Sequence, residues 1–167
     1  MSELDARVLA VLLRSGQPFE AMACDPALAD TETFCARYGQ SLSHSANTII
    51  VRSKTGEARY AACVVLATMR LDVNHIVRKR LGARKVSFAS AEETQALTGM
   101  SLGGVTAFAL PETLPLWIDA RIMALDYVIL GGGNRSSKIK LAPAVFNSIP
   151  NAEIVDGLAR PGPPPER

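Results

Sequence analysis

The sequence predicts a mixed α+β fold, with a curled, barrel-like mixed β-sheet flanked by helices. Three observations support this. Apolar residues switch repeatedly between helical spacing and strand alternation along the chain. The strand-like runs are short, and several face each other across turn residues. Glycines at 16, 39, 82 and 99 each follow a helical pattern where a helix would end.

Taken in order, Ser2 with Asp5 resembles a capping box, and Leu4, Val8, Val11 and Leu12 recur at helical spacing up to Gly16. An extended piece over Phe19 to Met22 precedes a helix from Ala29 to Tyr38. Ala46 to Val51 is apolar and partly β-branched, Lys54-Thr55-Gly56 turns the chain, and Tyr60 to Leu66 returns as a hairpin partner. Asp72 is placed to cap a helix through Ile76, Val77 and Leu81. Lys85 to Phe88 reads as a strand, and Ser90 with Glu93 as a second capping box for a helix ending at Gly99. Leu114 to Ile118 and Tyr127 to Leu130 are further strands, with Ile139 to Leu141 pairing back on the latter. Pro143 suits a first helical turn over Ala144 to Ser148, and Ala152 to Val155 is a last strand. Residues 1–158 are thus expected to form one domain. Residues 159–167, rich in proline, are expected to be a disordered tail.

Composition narrows the function classes. The chain has 167 residues, 48% of them hydrophobic and 20% charged, which suits a globular domain. The acidic start leads into no signal core and no apolar run spans a bilayer, so a cytoplasmic location and no membrane partner are expected. Cys24, Cys35 and Cys63 form no C-x-x-C pair, and with only His44 and His75 no metal site and no cofactor are assigned. A net charge of +2 means that any nucleic-acid contact needs a local patch. Arg78-Lys79-Arg80 is the densest, either a solvated helix face or a phosphate-backbone contact.

Two glycine clusters are the candidate chemistry. One runs from Gly99 through Gly103-Gly104-Val105-Thr106 to Phe108, and the other is Gly131-Gly132-Gly133-Asn134-Arg135-Ser136-Ser137-Lys138. Neither fits a dinucleotide fingerprint or a P-loop. Either is also compatible with an ordinary loop. Glycines let a ligand approach main-chain N–H groups closely. No nucleophile elbow accompanies either histidine, so a Ser/His/Asp arrangement is not indicated.

The ordered series Asn47-Thr48-Ile49-Ile50-Val51, Leu71-Asp72-Val73 through Lys85-Val86, Gly103 to Phe108, Leu114 to Asp119 and Gly131 to Arg135 resembles the YbaK/prolyl-tRNA synthetase-associated editing domain family. The resemblance covers roughly residues 18–156. It implies a trans-acting aminoacyl-tRNA deacylase that clears mischarged tRNA such as tRNA(Pro). The aminoacylated 3′ end would be the partner, with a synthetase as a transient one, and the protein a monomer or weak homodimer. Two departures stand out. The family usually has lysine where this chain has Asn47. Ala107 and Ala109 occupy positions usually held by proline and glycine in its Gly-Gly-x-Ser/Thr-Pro-x-Gly loop.

An aminoacyl ester is already activated, so a held carbonyl, a placed water and donors for the oxyanion suffice. Gly103, Gly104, Val105 and Thr106 are the expected oxyanion site, and Asn47 orients the ester or the water. Gly131, Gly132, Gly133, Ser136 and Ser137 form the opposite wall. Met100, Leu102 and Phe108 are candidate pocket walls, and His44 approaches the cleft. Asp119 either binds the substrate amino group or braces the loop. Arg78, Lys79, Arg80 and Lys138 are the expected tRNA contacts. The alternatives are a non-catalytic tRNA-end or nucleotide-binding module that has lost the family lysine, and a small-molecule hydrolase of free esters or nucleotides.

Overall fold

The computed structural model describes residues 4–162. Helix α1 (Ala6–Ser15) is capped by Asp5, whose side chain accepts the Arg7 N–H, and closed by Gly16 in the left-handed region. Val8 and Leu12, one turn apart, are its buried face. Ser2, half of the expected capping box, lies outside the described residues. Strand β1 (Phe19–Ala23) leads through a 3₁₀ turn at Pro26–Leu28 into α2 (Thr31–Tyr38). β2 (Ala46–Ser53) and β3 (Tyr60–Leu66) form the expected hairpin, with Asn47 opposite Val65. β4 (Met69–Leu71) precedes a π-helical turn, Val73–Val77, that runs into α3 (Arg78–Leu81).

The second capping box forms as expected. The Ser90 hydroxyl accepts the Glu93 N–H, the Glu93 carboxylate accepts the Ser90 N–H, and α4 (Ala91–Thr98) ends at Gly99. Asp72 does not cap. Its carboxylate is taken by His75 and Arg160, and the turn after it is π-helical. β5 (Val86–Phe88) precedes α4. β6 (Leu116–Asp119), β7 (Val128–Gly131), β8 (Ser137–Leu141), β9 (Ala152–Val155) and β10 (Ala159–Pro161) complete the chain. Residues 159–161, expected in the disordered tail, therefore pair antiparallel with β4. Residues 163–167 of that tail lie outside the described residues.

A five-stranded mixed sheet has the order β5-β2-β3-β6-β9, with β3/β6 and β6/β9 parallel. A second, antiparallel sheet has the order β1-β8-β7. Among the described residues the expected barrel is not found: the sheets do not close. Between β2 and β7 there is one bridge, Ser45 to Ile129. The ladder does not continue beyond that bridge among the described residues. The two sheets enclose the larger core, which includes Ile50, Val64, Phe108, Leu130 and Ile139. The other face of the main sheet is covered by Val77 and Leu81 of the α3 region. A third cluster, Cys24, Ala29, Phe34, Cys35 and Ile129, lies beneath α2.

Candidate active site

The two glycine clusters meet. Three successive carbonyls of the first turn accept donors from the second. Leu102 O accepts Arg135 Nη1 at 2.6 Å, Gly103 O accepts Lys138 Nζ at 3.3 Å, and Gly104 O accepts Gly133 N–H at 2.9 Å. In a trans peptide the carbonyl and the following N–H point oppositely. Tying these three carbonyls to the 133–138 turn therefore aims the amides of Gly103, Gly104 and Val105 the other way. The Gly104 N–H closes a turn on Ser101 O at 2.9 Å. Those of Gly103, Val105 and Thr106 reach no acceptor among the described residues. Thr106 is fully buried and its hydroxyl is also without a partner. Gly103 and Val105 are half-buried, and a fully buried amide without an acceptor, as at Thr106, is rare in native folds.

The glycines here serve the approach of one main chain to another. A Cβ on Gly104 would lie 2.5 Å from the Asn134 carbonyl oxygen, and one on Gly131 would lie 2.6 Å from Val105 O. Asn134 Oδ1 accepts from Ser136 N–H, Ser136 Oγ and Ser137 Oγ, which folds the 134–137 turn on itself. The hydroxyls of Ser136 and Ser137 thus hold the wall together.

Lys138 is only 5% exposed and donates to Ala29 O at 2.5 Å as well as to Gly103 O. Burial pushes its pKa below the ordinary value, opposed by the charges of Cys24, Asp30 and Cys35 and reinforced by Arg135. Two residues beyond Ala29, the Thr31 hydroxyl donates to Asn47 Oδ1. The Asn47 amide nitrogen has no acceptor among the described residues. Among the described residues the Asn47 side chain makes no hydrogen bond to either glycine turn. It joins the site through Thr31 and Ala29, whose Cα atoms are at most about 7 Å apart.

Residues 25–148 match the aminoacyl-tRNA editing domain. The chain belongs to this YbaK-type editing family. It is 24% identical over 108 residues to an Enterococcus faecalis protein described as "Putative Cys-tRNA(Pro)/Cys-tRNA(Cys) deacylase EbsC". The match spans 65% of this chain and 63% of that relative's length. Two solved structures share the fold. Hypothetical protein APE2540 has a TM-score of 0.80, at 24% identity over 92% of this chain and 99% of its own. "A putative trans-editing enzyme for prolyl tRNA synthetase" has 0.77, at 19% identity over 96% and 100%.

Within this editing domain the remaining expected site residues separate. Met100 and Phe108 are buried in the larger core, whereas Leu102 stays 42% exposed beside the turn. Asp119 is buried, and its carboxylate accepts the Arg121 and Ala159 N–H groups, which secures β10 and leaves it no approach to an amino group. His44 stacks on Tyr127 at 4.2 Å and contacts Ser41 and Asp126, away from the glycine turns. Ala109, where the resemblance places glycine, keeps a left-handed backbone with φ of 62°.

The expected basic patch also divides. Arg80 lies over the Trp117 ring and pairs with Glu153, so it is committed within the protein. Lys138, being buried, does not face a surface polyanion. Arg78 lines two adjoining grooves, one of about 660 Å³ with Lys79 and Arg84 and one of about 350 Å³ with Lys54, Arg84 and Lys85. These grooves lie on the α3 side of the main sheet, across from the core that contains Ala107 and Phe108. Sequence reasoning missed Ala29, Thr31 and Arg135. Ala29 acts through its carbonyl, so its side chain carries no signal. Arg135 stood within a cluster read for its glycines.

Proposed function

We propose that this domain is a trans-acting aminoacyl-tRNA deacylase, a hydrolase that frees a wrong amino acid from the 3′ end of tRNA(Pro) or a related tRNA. The observation that carries the reading is the first glycine turn, with the Gly103 and Val105 amides unpaired and held in place by the second turn, and the unpaired Thr106 amide next along the chain. Such preorganised donors suit the oxyanion of a tetrahedral intermediate. Water adds to the acyl carbon, the bond to the ribose oxygen breaks, and that oxygen takes the proton the water loses. A neighbouring ribose hydroxyl relays the proton. The free amide of Asn47 orients the ester or the water.

The family relationship supports tRNA as the partner, and the activity described for the Enterococcus relative supports the reaction class. The grooves flanking Arg78, Lys79 and Arg84 suit contact with the phosphate backbone. Leu102, half-exposed beside the turn, is the remaining candidate for sensing side-chain size. The test is a panel of mischarged tRNAs, with cysteine or alanine on tRNA(Pro) included. Release of free amino acid in proportion to enzyme is the expected result. Stable binding with no ester cleavage across the panel would make the domain a tRNA-end binding module. Cleavage of a model ester that ignores added tRNA would make it a small-ester hydrolase.

A further inference from the structure

We infer that Lys138 is a positioning residue of the ester site, its ammonium fixing the Gly103–Gly104 peptide so that the flanking Gly103 and Val105 amides keep the direction that hydrolysis requires. This rests on the deacylase reading and goes beyond it, because nothing in the reaction as written needs a buried cation.

Burying an ammonium is costly unless it is paired, and Lys138 forms no ion pair among the described residues. Its hydrogen bonds go to two carbonyls, with one of its three N–H groups unfilled. A methionine would fill the same space at no electrostatic cost, so packing does not account for the lysine. Its two carbonyls belong to the two halves of the site. Gly103 opens the oxyanion turn, and Ala29 precedes Thr31, which holds Asn47. Arg135 makes a parallel link, from Leu102 O to Pro26 O, at the more exposed end of the same seam. Two cations thus staple residues 102–103 to residues 26–29.

The charge acts through the peptide it grips. The N–H of that peptide, that of Gly104, is spent on Ser101 O, so the charge-assisted bond works by fixing the peptide plane and with it the directions of the neighbouring Gly103 and Val105 amides. Because Asn47 is neutral, Lys138 is the buried cation that both halves share. The ionisable groups facing it among the described residues are Cys24 just after β1, Asp30 and Cys35 at α2, and Arg135 in the turn. The Phe34 ring lies 5.5 Å from the ammonium.

The proposal requires protonated Lys138. Deacylation corrected for spontaneous hydrolysis should therefore fall as pH rises through a pKa below the ordinary 10.5. The experiment measures kcat and KM from pH 6 to pH 10 for wild type, Lys138→Gln, Lys138→Arg and Cys24→Ser. Lys138→Gln should lower kcat about a hundredfold, the scale of losing one oxyanion donor, with KM for tRNA little changed. Lys138→Arg should keep part of the rate and lose the alkaline limb, since guanidinium does not titrate there. Cys24→Ser should keep the limb. Wild-type kcat with the limb intact in Lys138→Gln would overturn the proposal. So would an unchanged limb in Lys138→Arg, which decides the matter should the glutamine variant not fold. Wild-type protein inactive on every mischarged tRNA would instead remove the deacylase reading, and this inference with it.

Discussion

Gly104→Ala is the sharpest probe of the site, because one methyl group acts on the seam between the two turns. The added Cβ would sit 2.5 Å from the Asn134 carbonyl oxygen and 2.7 Å from its Cα, both main-chain atoms with little freedom. Ordinary contact lies near 3.5 Å, so the turns must separate by about 1 Å. That stretches the 2.9 Å bond from Gly133 N–H to Gly104 O beyond hydrogen-bonding range. The lost bond costs about 1 kcal/mol and the overpacking about 1–3 kcal/mol. Together these lower the melting temperature by roughly 5–15 °C for a domain of this size. The same 1 Å displacement of the oxyanion turn should cost about a hundredfold in rate. Thermal unfolding by circular dichroism and deacylation at 15 °C, where the variant stays folded, measure the two effects separately. A variant with unchanged melting and full activity would refute both the contact between the turns and the assignment of the oxyanion site.

Other substitutions test single features. Thr106→Val removes a buried hydroxyl that has no partner among the described residues and keeps the main-chain N–H; it should raise stability by about 1 kcal/mol, whereas a lower melting temperature would indicate a partner for that hydroxyl. Ala109→Gly relieves a left-handed alanine and should gain roughly 0.5–1 kcal/mol after the entropy of glycine is subtracted, read as a higher urea midpoint. The Glu93 carboxyl is held down to about 2, first by the Ser90 N–H, then by the Tyr60 hydroxyl and Arg52. Its stabilisation should be whole above pH 4.5 and fade as pH falls towards 2, so the midpoints of wild type and Glu93→Gln should converge over that interval. The double variant Arg78→Ala/Arg84→Ala should raise KM for tRNA with kcat preserved. It should also flatten the salt dependence of binding by about two phosphate contacts, and an unchanged slope would free the groove of that role.

The sequence by itself determined the local elements, because their causes are local. Ser90 and Glu93 fix a helix start by reciprocal hydrogen bonds, glycines at 16, 39, 82 and 99 supply left-handed stops, and two nearly continuous apolar runs either side of a turn write the β2–β3 hairpin. The ordered motifs carried the editing family as well. Asp72 misled because its carboxylate had two distant or exposed competitors, His75 and Arg160, that outbid the helix end. The short strand at 159–161 was hidden because its partner, β4, lies some 90 residues earlier and gives the proline-rich segment a ladder.

Only the tertiary structure decided which residues share the site. Alternation along β8 puts Lys138 and Lys140 on one face, yet α2 buries the first while the second stays half-exposed over Tyr127. Nothing local distinguishes two lysines in equivalent strand positions; the cover over one of them does. The same holds for the glycines, whose spacing announced a close approach without naming its object. That object is the main chain of the other turn, because carbonyls 102 to 104 find their donors 29 to 35 residues away. Long-range pairing of peptide groups leaves little trace in side-chain chemistry, and so it had to be seen in three dimensions.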